Sequence, residues 1–97
     1  MRIIYATRGP GKTSKAVEIA NETGAYLIVA DRKRAQQVFR DYRPYRFPVT
    51  FDELLTSGMC GSYVRNVVID DADELVQRIC HSLKIDAVTW TKEEPNK

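Results

Sequence analysis

A glycine-rich segment near the amino terminus, residues 6–13, carries residue types that bind phosphate groups. It reads ATRGPGKT and matches the pattern G-x-x-x-x-G-K-S/T except at the first position, where Ala6 stands. Glycines allow the backbone to turn successive N–H groups toward phosphate oxygens. Lys12 has the reach to contact β- and γ-phosphates, and the Thr13 hydroxyl is a natural Mg²⁺ ligand. We therefore predict a nucleotide site made of Thr7, Arg8, Gly9, Pro10, Gly11, Lys12, Thr13 and Ser14. The alternative is an ordinary strand-to-helix turn.

A pair of adjacent carboxylates, Asp70 and Asp71, supplies the second set of candidate groups. They follow a predicted strand, an arrangement suited to holding Mg²⁺ and water opposite a phosphate loop. We predict that Asp70 supports the metal together with Thr13, and that Asp71 is the general base, catalytic with Lys12. Alternatively, Asp71 and Glu74 only cap the following helix. Many such sites carry glutamate at the second position, and a misplacement of about 1 Å can cost around 10²-fold in rate. The shorter aspartate therefore predicts slow hydrolysis.

The hydrophobic pattern predicts alternating strands and helices that would position both sets. Gly24 should end the first helix, Asp31 should cap the second, and Thr50 with Glu53 has capping-box spacing. The alternation indicates an α/β three-layer fold, with a mainly parallel sheet of four to five strands and helices on both faces. In such sheets ligands bind beyond the carboxyl ends of the strands, where both sets fall. Strands are predicted at residues 2–6, 25–30, 66–69 and 85–91, a short edge piece at 47–49, and helices at 12–23, 32–42, 51–57 and 72–84.

Length and composition exclude several classes of protein. The 97 residues suit one compact domain, expected over residues 1–92 with a flexible tail at 93–97. The longest apolar run, residues 25–30, is far shorter than the about 20 residues that span a bilayer, and no signal-peptide pattern opens the chain. We expect a cytoplasmic protein with no membrane contact. Cys60, Cys80 and His81 lack zinc-site spacing, so the thiols are predicted to be buried or to be bystanders.

The charges are unevenly distributed, although the net charge is only +2. Residues 31–46 hold six basic against two acidic side chains, and residues 70–97 hold seven acidic against four basic. Aromatic residues interleave with the basic ones, a combination typical of single-stranded nucleic-acid binding. A solvated basic face, or a surface for an acidic partner protein, explains the same pattern. The nucleic-acid candidates are Arg32, Lys33, Arg34, Arg40 and Arg43.

Together these motifs resemble the first RecA-like domain of superfamily 1 and 2 helicases and related P-loop ATPases. Residues 6–13 fit the helicase form A-x-x-G-x-G-K-T, which accounts for Ala6. Residues 67–75, VVIDDADEL, look like a DEAD-type motif II with aspartate where glutamate is usual. Residues 27–35 are similar to motif Ia, 49–55 to the threonine-bearing segment after it, and 86–91 to motif III or the sensor strand. The resemblance covers nearly the whole chain.

The resemblance implies a RecA-like P-loop NTPase core and an Mg²⁺-dependent ATPase or NTPase acting in DNA replication or recombination. It implies a central phosphate-loop strand flanked by the Thr89 strand, then the Asp70 strand, then the Leu27 strand. Thr89 or Thr91 would sense the γ-phosphate. The small size resembles P-loop proteins of phage replication modules, which would place the protein in a host cytoplasm.

A second RecA-like domain, which supplies the arginine finger in helicases, is not expected in a chain of this length. The finger would come from a larger helicase or replication protein, or from Arg8 or Arg65 of a neighbouring subunit in a homo-oligomer. Turnover would then be slow or partner-dependent. The alternative function is a nucleotide-binding regulator or inhibitor without turnover, docked on a helicase or another protein.

Overall fold

A parallel sheet, three-stranded in the part of the chain that the structure describes, carries the helices of this protein. The computed structural model describes residues 3–4, 10–57 and 65–91. Strand β1 (Tyr26–Val29) lies between β2 (Val49–Thr50) and β3 (Val67–Ile69) and pairs in parallel with both. The predicted α/β class with a parallel sheet is confirmed. The elements in chain order are α1 (Pro10–Thr23), β1 (Tyr26–Val29), α2 (Arg32–Tyr42), β2 (Val49–Thr50), α3 (Phe51–Ser57), β3 (Val67–Ile69) and α4 (Ala72–Ile79).

Side chains of β1 alternate between two apolar clusters, one on each face of the sheet. Leu27 and Val29 belong to a cluster with α1 and α2, whose members there are Ala16, Val17, Ala20, Ala35 and Val38. Ile28 belongs to the opposite cluster, with Phe51 of α3 and Leu75 of α4. Successive residues of a strand point to opposite faces, so a fully apolar strand requires cover on both. Helices therefore lie on both faces of the sheet.

Helix α1 begins at a proline and ends before a glycine, two residues typical of these positions. It begins at Pro10, two residues before the predicted start, and proline suits a first helical position because it has no N–H to satisfy. Gly24 follows the helix with a φ of 72°, a left-handed conformation that glycine adopts without a steric penalty. The N–H of Ala25 then donates to the carbonyl of Ala20 at 3.0 Å, as in a Schellman motif.

Helices α2 and α3 are also capped as predicted. The Asp31 carboxylate accepts a hydrogen bond from the N–H of Arg34 at 2.8 Å, which anchors the first turn of α2. At α3, the N–H of Glu53 donates to Thr50 Oγ1 at 3.1 Å. The N–H of Thr50 donates to Glu53 Oε1 at 3.3 Å, which completes the capping box.

The end of α4 differs from the prediction. The helix ends at Ile79 rather than at residue 84, and His81 follows with a left-handed φ of 58°. The Gln77 amide donates to the carbonyls of His81 and Leu83, at 3.3 and 2.9 Å, and so satisfies two backbone carbonyls of the segment that follows the helix. Ile79 and Leu83 are 52% and 71% exposed, so burial of apolar side chains does not stabilise a longer helix.

The predicted last strand is wrong, since residues 85–91 form no strand. Val88 and Trp90 are 65% and 51% exposed, although the pattern had assigned this segment to a sheet. Of the predicted strand at 2–6, Ile3 and Ile4 are described and form no strand, and the other positions lie outside the described residues. The sheet of the described residues thus has three strands rather than four to five.

The order of these strands agrees with part of the expectation. The strand containing Leu27 lies beside the strand that leads to Asp70, with Leu27 opposite Val68 in the register. The short piece at Val49–Thr50 lies at the edge of this sheet, as predicted for a segment next to Pro48. The predicted tail at 93–97 lies outside the described residues.

Within the part of the chain that the structure describes, no helix combines the length and apolar character required to cross a bilayer.

Candidate phosphate and metal site

The first turn of α1 and the carboxyl end of β3 bring together two groups 57 residues apart in sequence. Thr13 Oγ1 donates a hydrogen bond to Asp70 Oδ2 at 3.1 Å. Both residues are buried, with 1% and 3% exposure. The strand end is held in place because the N–H of Asp70 donates to the carbonyl of Ile28 on the neighbouring strand. The two predicted metal-binding residues are therefore adjacent.

A second contact joins the same elements beside the first. Lys12 Nζ donates to Asp71 Oδ1 and forms an ion pair with it. The Lys12 and Asp71 side chains keep 21% and 31% of their surface exposed, so the pair lies at the mouth of the site. Lys12 and Asp71, the two predicted catalytic residues, are bound to each other in this conformation.

The backbone of Asp71 is in a sparsely populated conformation. It is the N-cap residue of α4 with φ 59° and ψ 55°, and its side chain makes no capping hydrogen bond. Aspartate tolerates this left-handed region better than most residues, although the conformation still costs on the order of 1 kcal/mol. The alternative in which the Asp71 carboxylate caps α4 is therefore wrong. Its carboxylate faces Lys12 instead.

Arg34 adds a second cation, beside Lys12, to this site. Its Nη2 donates to Thr13 Oγ1 at 2.9 Å and lies 3.9 Å from Asp70 Oδ2. The pattern placed Arg34 among basic residues of a nucleic-acid surface. One signal could have found it: Arg34 lies in the first helical turn after β1, at the same carboxyl edge of the sheet as Asp70.

Burial and mutual charge determine the protonation equilibria of this site. Desolvation raises the pKa of Asp70, and the adjacent Asp71 raises it further, against the opposing effects of Thr13, Lys12 and Arg34. The hydrogen bond from Lys12 to Asp71 raises the pKa of Lys12, which keeps this side chain protonated. The buried carboxylate of Asp70 therefore requires positive charge near it when it is ionised.

The donor set fits a magnesium ion. Thr13 Oγ1 and Asp70 Oδ2 are hard oxygen donors 3.1 Å apart. Adjacent ligands in an octahedral Mg²⁺ shell, with bonds of about 2.1 Å, are separated by about 3 Å. In the described ranges, no group of three or more His, Cys, Asp or Glu side chains could hold a metal by itself. Nucleotide phosphates and water would complete such a shell.

The amino-terminal turn of α1 is unusual in its charge. It contains Lys12 and no acidic residue. Because the helix dipole already makes this end positive, a lysine here needs a nearby anion, and Asp71 is that anion in this conformation. Gly11 lies in the first turn of α1 and its φ is not positive, so it does not use the additional backbone conformations that glycine permits. An added Cβ there would contact no atom of the described residues within 4 Å. Packing against the described residues does not explain the glycine.

The remaining predicted site residues lie in α1, in the segment at 85–91 or outside the described residues. Pro10 begins α1 and Ser14 is exposed in it, whereas Thr7, Arg8 and Gly9 lie outside the described residues. The two sensor candidates, Thr89 and Thr91, are exposed in the segment that forms no strand. Their sensor role stays a prediction.

The other nucleic-acid candidates lie on the outer surface of α2 and its end. Arg32 and Lys33 are exposed. Arg40 pairs with Asp41 at 3.0 Å, and Arg43 places its guanidinium 5.9 Å from the centre of the Phe39 ring. Arg34 is thus separated from the group by its contact with Thr13.

Comparison of the chain with protein-family models, curated proteins and solved structures finds no match. The assignment of function therefore depends on the residues and geometry described above.

The raised pKa of Asp70 predicts a pH-dependent stability difference between the native chain and Asp70→Asn. A carboxyl group with a raised pKa binds its proton more tightly in the folded state than in the unfolded chain. The contribution of the Asp70 carboxyl group to the free energy of unfolding is therefore fully favourable at pH values below its ordinary pKa of 3.8. This contribution is lost as the pH rises through the folded-state pKa. Asparagine does not titrate, so the variant should gain stability relative to the native chain over that range.

Urea denaturation at intervals from about pH 3 to about pH 8 measures this difference. The urea m-value should stay the same in both proteins, as a control for two-state unfolding. A stability difference that is independent of pH, or that moves in favour of the native chain as the pH rises, contradicts the prediction.

Proposed function

We propose that this protein binds ATP or another nucleoside triphosphate together with Mg²⁺ and hydrolyses it. One observation carries the proposal: Lys12 and Thr13 of the phosphate-loop motif contact Asp71 and Asp70, respectively, across 59 and 57 residues of sequence. An accidental motif in a strand-to-helix turn has no reason to meet a carboxylate pair in this way. Lys12 lies in the first turn of α1, where the helix dipole is also positive, and this position suits an anionic ligand that displaces Asp71.

Each residue of the site has a defined task in this proposal. The first turn of α1 and Lys12 bind the phosphates, and Thr13 and Asp70 hold the metal position. The metal, when bound, neutralises charge on the β- and γ-phosphate oxygens. Asp71 accepts a proton from the water that attacks the γ-phosphorus, while the bond to the β-phosphate oxygen breaks to yield ADP and phosphate.

The Lys12–Asp71 ion pair has a consequence for the rate. Lys12 must exchange Asp71 for a phosphate before either residue can perform its task. Asp71 also has a side chain one methylene shorter than glutamate. Turnover is therefore slow, or depends on a partner that completes the site.

The finer assignment follows the motif resemblance. We infer a RecA-like P-loop core of the helicase type, acting in DNA replication or recombination in the cytoplasm, which is a host cytoplasm if the gene belongs to a phage. The exposed arginines and lysine of α2 would contact single-stranded nucleic acid. A larger replication protein, or a second copy of the chain, would supply an arginine finger.

The test compares ATP with adenosine in the presence of Mg²⁺. ATP at about 100 times its dissociation constant should stabilise the fold by roughly 2.7 kcal/mol, seen as a raised melting temperature, because it binds only the folded state. Adenosine lacks the phosphates and should produce no comparable shift. Phosphate release from ATP measures turnover. Equal melting temperatures with ATP, with adenosine and without ligand would contradict nucleotide binding.

A second candidate function is a nucleotide-binding regulator or inhibitor without turnover. The observation that favours it is the engagement of Asp71 by Lys12, which occupies the proposed base. This function predicts the same ATP-dependent stabilisation with no phosphate release, even when single-stranded DNA is added. Phosphate release above the uncatalysed rate decides for the enzyme.

A further inference from the structure

The guanidinium of Arg34 is held at the metal position by contacts from two directions. Its Nη2 donates to Thr13 Oγ1 at 2.9 Å and lies 3.9 Å from Asp70 Oδ2. Its Nη1 donates to Gln37 Oε1 at 3.1 Å, one turn along the same helix. The backbone N–H of Arg34 is fixed by the Asp31 cap. The side chain is therefore oriented by its own helix toward the two oxygens that fit a divalent cation.

The charges of the site balance without any ligand. Asp70 and Asp71 contribute two carboxylates, and Lys12 and Arg34 contribute two cations. Asp70 has a side chain only 2% exposed, and a buried carboxylate that is ionised requires a counterion. Arg34 provides one at close range, and its own side chain is 32% exposed, so it can leave toward solvent. This is the arrangement expected of a resting-state counterion rather than of a permanent ion pair.

We propose that Arg34 occupies the metal position in the resting protein and excludes free divalent cations until a nucleotide arrives. This inference rests on the proposed function, because the phosphates are what offer Arg34 another anionic partner. Arg34 Nη2 occupies a lone pair of Thr13 Oγ1 at 2.9 Å, and its positive charge opposes a metal ion bound to the same oxygen. Metal and nucleotide therefore load together, and the metal alone binds weakly.

The positive charge of Arg34 beside Asp70 determines how strongly metal binding is weakened. A cation close to a carboxylate shifts its proton equilibrium by 10-fold to 10³-fold, and a divalent ion competes with that cation for the same oxygen. Removal of the Arg34 charge should accordingly raise the affinity for the metal alone by at least about tenfold. Lysine at this position retains the charge and should retain most of the exclusion.

The experiment is a Mn²⁺ titration in the absence of nucleotide, followed by the electron paramagnetic resonance signal of free Mn²⁺. Mn²⁺ is the probe because it accepts the carboxylate, hydroxyl and water ligands that suit Mg²⁺. Arg34→Gln should bind Mn²⁺ at least about tenfold more tightly than the native chain. Arg34→Lys should resemble the native chain. Arg40→Gln removes the same charge from an exposed position of α2 and controls for a general electrostatic effect.

The double variant Arg34→Gln, Asp70→Asn locates the ion. It should lose the gained Mn²⁺ affinity, because Asp70 holds the metal position. Circular dichroism and melting temperature verify that each variant is folded. Arg34→Ala, which also removes the charge, replaces Arg34→Gln if the glutamine variant does not fold. Retention of strong Mn²⁺ exclusion by folded Arg34→Gln, or equal gains in Arg34→Gln and Arg40→Gln, overturns the inference.

The outcome is separable from that of the proposed function. A second titration measures ATP affinity with and without Mg²⁺ in the native chain and in Arg34→Gln. If ATP draws Arg34 away from the metal position, ATP improves metal binding more in the native chain than in the variant. By linkage, Mg²⁺ should then raise the ATP affinity of the native chain by a larger factor than that of the variant. Failure of ATP to bind either protein contradicts the proposed function, whereas the Mn²⁺ comparison still decides whether Arg34 excludes the metal.

Discussion

The Lys12→Ala variant is expected to lose nucleotide binding, with the ATP dissociation constant raised at least about 10²-fold. Hydrogen bonds from a charged group to phosphate contribute roughly 1.5–3 kcal/mol each, and the lysine also provides the only positive side chain in the first turn of α1. Its partner Asp71 is left uncompensated at the mouth of the site and repels the phosphates further. Isothermal titration calorimetry with Mg²⁺-ATP measures the loss.

Lys15→Ala is the matched control for this prediction. Lys15 lies on the same helix three residues further along, where its exposed side chain pairs with Glu18 at 3.5 Å. A surface pair of this kind contributes at most about 1 kcal/mol to stability, so the fold should persist. ATP binding by Lys15→Ala should equal that of the native chain. Equal affinities in the native chain and in Lys12→Ala would show that the phosphate-loop lysine does not contact the nucleotide.

The Asp71→Asn variant, unlike Lys12→Ala, is expected to keep ATP binding but to lose most of its turnover. Without its carboxylate, Lys12 is no longer held by a competing anion, so ATP should bind at least as tightly as to the native chain. Loss of a general base typically lowers the rate by 10²-fold to 10⁴-fold, and we expect at least about 10²-fold here. Asparagine tolerates the left-handed backbone conformation at φ 59°, which separates the chemical effect from a folding defect.

Phosphate release under saturating Mg²⁺-ATP, together with calorimetry, checks this pair of effects. Asp73→Asn is the control, since it removes an exposed carboxylate from the first turn of the same helix. Its turnover should remain near that of the native chain. Unchanged turnover in Asp71→Asn would exclude Asp71 as the base. Weaker ATP binding in that variant would mean that Asp71 does not compete with phosphate for Lys12.

Lys12→Ala and Asp71→Asn thus separate the two roles within one ion pair, nucleotide binding by Lys12 and proton transfer by Asp71. Removal of Lys12 should abolish both binding and turnover. Removal of the Asp71 charge should abolish turnover alone. A non-hydrolysing regulator would respond to the first substitution and show no turnover to lose in the second.

Local signals account for the elements that the sequence predicted well. The glycine after α1, the aspartate before α2 and the capping box of α3 act through hydrogen bonds within a few residues. The strand at Tyr26–Val29 is apolar throughout, and such a pattern has one common solution, a central position in a parallel sheet. These features require no knowledge of the remainder of the chain.

The carboxyl-terminal region was predicted less well for a physical reason. The apolar pattern of residues 72–84 indicates a long helix, yet helical stability depends on burial of the apolar face. Ile79 and Leu83 are largely exposed, so that reward is missing beyond α4. The expected strand at residues 85–91 needs a neighbouring strand to pair with, and its composition alone does not provide one.

The sequence by itself determined the order of elements from α1 to α4, the parallel pairing of the sheet, and Lys12, Thr13, Asp70 and Asp71 as a candidate site. Motif spacing and strand ends are local properties of the chain. Only the tertiary structure decided how these residues pair. Whether Asp71 caps its helix or binds Lys12 depends on a contact across 59 residues. The direction of Arg34 likewise depends on a carboxylate that packing has buried 36 positions away along the chain, and no local pattern records that charge.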